Sequence, residues 1–274
     1  MRVISTIAEV RAARMAMPML GLVPTMGFLH PGHLSLVKRA KSECGLVAAS
    51  IFVNPTQFGP NEDFGRYPRA RERDLALLEA EDCDLVFTPD VTEIYPAGFD
   101  ARIDIGGVTE GLEGAVRPGH FTGVATVVAK LFNIFQPTRA YFGQKDAQQC
   151  AVIRKLVRDL DMPLEVVVCE TVREVDGLAM SSRNAYLSPA ERAKATILIR
   201  ALRAAAASGD RDAEALRRLM RDTIHTEPLA QLDYVSVADP DTLEELNHLG
   251  EGGALLSLAV RVSGTRLIDN LIIP

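Results

Sequence analysis

Cysteine is scarce in this 274-residue chain, and its four copies, Cys44, Cys83, Cys150 and Cys169, stand 19 or more residues apart. No CxxC pair exists, so neither a zinc module nor a dense disulfide scaffold can be drawn. Scattered thiols in a chain of this size are expected to be reduced and mostly buried, in a cytoplasmic protein. Basic charge is also short: 30 Lys and Arg stand against 36 Asp and Glu, a net −6. A protein that coats nucleic acid needs a basic footprint, which argues against that class. Long apolar runs are missing too. No stretch approaches the ~18 residues of a membrane helix, and Arg2, Glu9, Arg11 and Arg14 interrupt any signal-peptide core. What remains is an ordinary globular balance, 47% hydrophobic and 24% charged. The length suits one large or two modest domains.

Through the first half, apolar runs alternate with amphipathic segments. Residues 19–23 predict a strand ending at Pro24, residues 33–43 a helix, and residues 46–53 a second buried strand. A helix over 71–80, a strand over 84–88, a helix over 121–135 and a strand over 140–142 follow. A helix over 147–160 and a strand over 164–169 complete the series. Strands separated by helices favour a parallel sheet of βαβ units. The second half differs. Ser188-Pro189 makes an N-cap and N1 pair for one amphipathic helix over 189–206, and another helix is expected over 211–224. Strands over 232–237, 254–262 and 266–273 then suggest a small α+β domain. The boundary is placed within 172–184, where Asp176-Gly177 makes a turn, dividing the chain into 1–175 and 176–274.

The strongest chemical signal is PTMGFLHPGH at 24–33, between a buried strand and an amphipathic helix. Ligands of open parallel sheets bind beyond the carboxyl ends of strands, at such turns. A helix N-terminus there suits phosphate. Gly27 and Gly32 permit close backbone approach, and His30 and His33 share one helical face. With five His and twenty Gly in the chain, HxGH is expected on the order of 0.01 times by chance. The bland alternative is a helix start bearing two solvated histidines. A zinc site lacks a third ligand nearby.

HxGH after a strand resembles the nucleotidyltransferase superfamily that includes the class I aminoacyl-tRNA synthetases. The wider string VPTMGFLHPGH resembles the pantothenate synthetase (pantoate–β-alanine ligase) family. Matching segments follow in order: SIFVNPTQF at 50–58, RPGHFTGVATVVAKLFN at 117–133, YFGQKDAQQ at 141–149 and TVREVDGLAMSSRNAYLS at 171–188. The resemblance implies an α/β fold, with a Rossmann-like open parallel-sheet domain binding nucleotide and pantoate, then a smaller α+β lid domain. It implies ATP as substrate with Mg²⁺, no tightly bound cofactor, and no metal held by the protein. Pantoate and β-alanine would be the other substrates, in a cytoplasmic homodimer that binds neither nucleic acid nor membrane. The chemistry implied is attack of pantoate's carboxylate on the α-phosphorus, then of β-alanine's amine on the resulting acyl adenylate.

Site roles carry over onto the matching positions. His30, His33, Lys145 and Arg183 would be catalytic, with the proton-donor role on His33. Met26, Gly27, Phe28, Leu29, His30, Pro31, Gly32 and His33 would cradle ATP. Gly143, Gln144, Lys145 and Asp146 would join them, with the Val172 backbone on adenine and Met180, Ser181, Ser182 and Arg183 as a KMSKS-type loop. Gln57 and Gln149 would bind pantoate, Gln57 also β-alanine, because neutral amides read hydroxyls without adding charge. Met26 and Phe52 are expected as apolar walls, Phe28 as another, and Thr25 and Asn54 at the pocket mouth. Arg117 and His120 match the family, though a helix N-terminus explains His120 as well. Arg66, Arg69, Arg71 and Arg73, alternating with Glu72 and Asp74, read as a solvated helix face with a structural or subunit-contact role. His225 and His248 read as surface residues. Adenylyl- or cytidylyltransferases, which lack NPTQF and KDAQQ, are the alternative within nucleotide transfer. A non-catalytic ATP-binding module is the alternative outside it.

Overall fold

The structure is a computed structural model that describes residues 1–274 except Asn61. The chain forms two compact units, Met1–Gly143 with Val152–Cys169, and Gln144–Ala151 with Glu170–Pro274.

The first unit contains β1 (Arg2–Ile4), α1 (Ile7–Arg14), β2 (Gly21–Thr25), α2 (Pro31–Cys44), β3 (Val47–Ile51), α3 (Arg71–Ala80) and β4 (Leu85–Phe87). It continues through α4 (Val91–Ile94), α5 (Leu112–Val116), α6 (His120–Phe135) and β5 (Arg139–Gly143). Helix α7 (Ala147–Asp159) begins among the residues of the second unit and leads to β6 (Glu165–Cys169). All six strands are parallel, in the order β1-β4-β3-β2-β5-β6. Side chains alternate across a strand, and the helices exploit both faces. Val23, Ala49, Val86 and Tyr141 pack with Leu36, Val37 and Ala40 of α2 and Leu78 of α3. Their strand neighbours Phe87 and Phe142 point the other way, onto Phe135 and Phe132 of α6. The expected Rossmann-like α/β fold is therefore present.

Pro24 does not end β2; the strand runs through it to Thr25. Gly21 N–H bonds Leu46 O on the β3 side, so by alternation the missing N–H of Pro24 faces β5. Pairing with β5 has already stopped at Leu22↔Ala140, while pairing with β3 continues to Thr25↔Ile51. Proline thus removes no ladder bond. Strand order also reverses between β2 and β5: successive strands run to one side of β2, then β5 and β6 lie on its other side. An open α/β sheet binds ligands at such a switch point.

The second unit carries α8 (Pro189–Ala195), α9 (Ile197–Ala207), α10 (Ala213–His225), and the antiparallel sheet of β7 (Ala230–Ala238), β8 (Ala254–Val262) and β9 (Thr265–Ile273). Its core joins Ile197, Leu198 and Leu202 of α9 with Leu216 and Met220 of α10 and Leu256, Leu258 and Val260 of β8. The single helix expected over 189–206 is instead two, α8 and α9, which meet at Thr196, whose hydroxyl donates to Ala193 O at 2.7 Å. The small α+β domain is present as expected.

Candidate active site

The turn from β2 into α2 is held by partners from three directions. Thr25 Oγ1 donates to Ser50 O at 2.7 Å and accepts from Gly27 N–H at 3.1 Å. Gly27 has φ +81°, and a Cβ there would lie 3.0 Å from both Asp74 Oδ2 and Ile51 Cγ2. Phe28, not a glycine, also adopts a positive φ of 50°. Asp74 of α3 keeps it there. Its two oxygens accept from Phe28 N–H at 2.7 Å and Leu29 N–H at 2.8 Å, and the residue is 1% exposed. The charge run around Asp74 is therefore not wholly solvated, and Asp74 is a site-forming residue that the sequence reading missed. Arg73, beside it, places its guanidinium carbon 5.5 Å from the Phe28 ring centroid. The expected apolar wall at Phe28 thus carries a cation over its ring.

His30 is the N-cap of α2, with Pro31 at the first helical position, where proline's missing N–H costs little. His30 N–H donates to His33 Nδ1 at 3.3 Å, and the two rings sit 4.0 Å apart between centroids. Because Nδ1 accepts, the ring proton of neutral His33 belongs on Nε2. Four successive main-chain donors, from Gly27 to His30, are thus engaged by Thr25, Asp74 and His33. The main chain of this stretch is thus anchored by bonds within the protein.

A second cluster forms around Gln57, at the end of the 3-10 turn Pro55–Gln57. Asn54 is its hub, 1% exposed. Asn54 Nδ2 donates to Gln57 Oε1 at 3.0 Å and to Gly123 O at 3.2 Å. Asn54 Oδ1 accepts from the hydroxyls of Tyr95 and Thr56 at 2.8 and 2.9 Å. Asn54 and Thr25 therefore brace the site from within rather than forming its mouth. With Oε1 held by Asn54, the Gln57 amide turns its Nε2 toward Met26 Sδ, 3.3 Å away. The two predicted segments, MGFLHPGH and NPTQF, meet through this contact. Phe52 is buried, 6.1 Å from the Tyr95 ring.

His120, at the start of α6, touches the same turn. An arginine only donates, so Arg117 Nη1 at 3.0 Å makes His120 Nε2 an acceptor, and Nδ1–H donates to Gln57 O at 2.8 Å. That arrangement requires a neutral ring. Burial, helped by the Arg117 charge, pushes its pKa down to about 4. Arg117 in turn grips both oxygens of Glu62 at 2.7 Å. Burial opposes charge on Glu62, yet Arg117 holds its carboxyl below the usual range. Gly123, one turn along α6, allows the approach: a Cβ there would lie 2.4 Å from Thr56 O.

In the second unit, residues Gln144–Asp146 form a 3-10 turn. Lys145 Nζ lies 3.5 Å from Asp146 Oδ1. Asn270 of β9 donates to the carbonyls of Gln144 and Lys145 at 3.0 and 2.9 Å. Gln149 lies half-buried in the first turn of α7. Met180 N–H bonds Val172 O at 3.0 Å, and Arg173 and Ala179 pair beside them, so both predicted nucleotide segments belong to one hairpin. Ser181 caps the following turn, Ser182–Tyr186, by accepting from Arg183 N–H at 3.2 Å. Among the described residues, no group of three or more His, Cys, Asp or Glu is arranged to hold a metal, and no helix is long and apolar enough to cross a membrane.

Comparison with known proteins agrees with these strings. Residues 2–272 match the pantoate-beta-alanine ligase family. The pantothenate synthetase of Herpetosiphon aurantiacus is 64% identical over 275 residues, covering 99% of this chain and 100% of that one. The crystal structure of pantothenate synthetase from Thermus thermophilus is similar with a TM-score of 0.95 at 52% identity, covering both chains in full. The pantoate-beta-alanine ligase of Francisella tularensis, complexed with beta-gamma ATP and beta-alanine, gives 0.83 at 37% identity, covering 99% of this chain and 97% of that one. By sequence and by fold, the chain belongs to the pantoate–β-alanine ligase family, the enzymes that form pantothenate.

Proposed function

We propose that the chain joins pantoate to β-alanine in two steps through a pantoyl adenylate, with ATP as the second substrate of the first step. Pantoate's carboxylate attacks the α-phosphorus; the bond to the β-phosphate breaks and pyrophosphate leaves. The amine of β-alanine then attacks the acyl carbon, and AMP leaves with the bonding electrons. The difficulty of the first step is that two anions must meet, so positioning and aimed donors dominate.

The observation that carries this reading is the His30–His33 bond, which fixes the His33 tautomer with its proton on Nε2 at the start of α2. A donor so placed suits a phosphate oxygen gaining charge. His30, Met26 to Gly32, Gly143 to Asp146, Val172 and Met180 to Arg183 take the nucleotide. Lys145 and Arg183 supply its cations. Gln57, whose Nε2–H₂ is turned by Asn54 toward Met26, holds pantoate's oxygens and then β-alanine, with Gln149 as the second pantoate amide. The ligands named for the Francisella relative, beta-gamma ATP and beta-alanine, fit this assignment. Mg²⁺ arrives with the triphosphate, which suits a cation that keeps most of its waters and phosphate ligands. Four buried cysteines outside any disulfide suit a reducing cytoplasm, and the family resemblance supports a homodimer.

The test omits each substrate in turn. Pyrophosphate release should require ATP, Mg²⁺ and pantoate but not β-alanine, whereas AMP release should require all of them. His33→Ala should slow pyrophosphate release by about 10²–10³-fold. Formation of ADP and phosphate would overturn the adenylate route, and an unchanged His33→Ala rate would remove the donor assignment.

A further inference from the structure

The last strand of the chain carries two buried polar residues in succession, Asp269 at 2% and Asn270 at 4% exposure. Neither belongs to a segment that the sequence reading singled out for chemistry. A polar group buried in a sheet is costly unless bonded, and both are heavily bonded. Asn270 directs its two amide hydrogens to two successive carbonyls, Gln144 O at 3.0 Å and Lys145 O at 2.9 Å. Its own Oδ1 accepts from Gln144 Nε2 at 3.3 Å. Fixing the carbonyls on either side of the Lys145 nitrogen and carbon fixes two peptide planes. The direction in which the Lys145 side chain leaves the main chain is then set by Asn270.

Asp269 performs the matching task for the neighbouring hairpin. It receives Arg173 as a two-pronged pair at 2.7 and 3.0 Å, and Asn270 N–H at 2.8 Å. Arg173 also donates to Gly177 O at 3.1 Å and Asn270 O at 3.2 Å. The guanidinium thereby closes the hairpin that pairs Val172 with Met180 and ties it to β9. One dipeptide thus supports both the turn bearing Lys145 and the hairpin bearing Val172 and Met180.

We propose that Asn270 is the positioning residue of Lys145, and that Asp269-Asn270 is the common base from which the ammonium and the hairpin meet the nucleotide. The inference rests on the reading of Lys145 as a phosphate cation. Lysine is a point charge on a flexible stem, so its anchoring decides how often the ammonium stands where charge develops.

A double-mutant cycle tests this with pantoate-dependent pyrophosphate release from the full-length enzyme. Asn270→Ala should lower kcat by about 10²-fold, the scale of a ~1 Å misplacement. The KM for pantoate should stay within about threefold, because Asn270 is assigned no pantoate contact. Adding Asn270→Ala to Lys145→Ala should cost little more, within about twofold, since the second change acts through a lysine already removed. Asn270→Asp, of equal size but facing two carbonyls with acceptors, answers the same question should the alanine variant melt below the assay temperature. A wild-type kcat in both Asn270 variants would overturn the proposal. So would the same fold loss from Asn270→Ala with and without Lys145, which marks a purely structural role. Wild-type kcat in Lys145→Ala alone would instead overturn the reading of Lys145 on which the proposal stands.

Discussion

Asp74→Asn isolates what holds the β2–α2 turn in shape. The side chain keeps its size and its place on α3, but an amide oxygen replaces one of two carboxylate acceptors. The NH₂ group then confronts either Phe28 N–H or Leu29 N–H, which now bond Asp74 at 2.7 and 2.8 Å. One buried N–H is left without an acceptor, at about 1–3 kcal/mol, and the surviving bond loses its charge assistance, about 1 kcal/mol more. The turn has strain waiting to be released, since Phe28 sits at φ 50°, a conformation costing a non-glycine residue on the order of 1–3 kcal/mol. A loss of ~2–4 kcal/mol lowers the population of the native turn by about 30- to 1000-fold relative to relaxed alternatives. Part of that is absorbed by the packing of Leu29, which is 1% exposed, so a fall of at least about tenfold in kcat/KM for ATP is expected. The assay is the initial rate of pantoate-dependent pyrophosphate release over a range of ATP. Glu72→Gln, on the exposed side of the same helix, is the charge-matched control and should leave the rate unchanged. An Asp74→Asn enzyme within twofold of wild type in kcat/KM, with an unshifted melting temperature, would refute the reasoning.

Two further outcomes follow from the Gln57 cluster. His120 has a pKa of about 4 in the fold, against 6.5 for an ordinary imidazole, so the unfolded chain takes up the proton first. Its contribution is complete above about pH 6.5 and is lost as pH falls toward 4, on the order of 3 kcal/mol in all. Urea midpoints of wild type and His120→Asn should therefore converge between about pH 7 and 4.5; a constant gap would count against the neutral ring. Gly123→Ala places a methyl 2.4 Å from Thr56 O, which must push the Pro55–Gln57 turn off α6 at about 1–3 kcal/mol. The melting temperature should drop and the pantoate KM should rise more than the ATP KM, and a larger change for ATP would separate Gln57 from pantoate.

Much of the fold was legible because its long elements obey a period. Amphipathic helices such as α2 span enough residues to show it, and buried strands such as Val47–Ile51 stand out instead as parts of apolar runs. The short elements β1, α4 and α5 show neither a period nor a long apolar run of that kind. The helix expected over 189–206 divides at Thr196, and nothing in the surrounding apolar pattern changes there. Pro24 misled because its effect depends on which neighbour the strand has already left. The turn Gln144–Asp146 groups with residues after Glu170, because its carbonyls are held by Asn270, a partner more than a hundred residues away.

The candidate site divides along the same line. Residues proposed to touch ligand stand in compact strings, because a turn between strand and helix must place several groups within a few residues of one another. Residues that shape those turns are scattered: Asp74 for the histidine turn, His120 and Gly123 for Gln57, Asn270 for Lys145. Each acts on main-chain atoms, and a main-chain partner leaves no mark in the sequence of the segment it holds. This explains why Asp74 passed for one more charge on a solvated helix. With the main-chain donors of Gly27 to His30 bonded inside the protein, the turn from β2 to α2 is a mount held in shape by its neighbours. On the proposed reading, changing a buried support such as Asp74 should disturb the turn it holds and, through that turn, the groups assigned to the ligand.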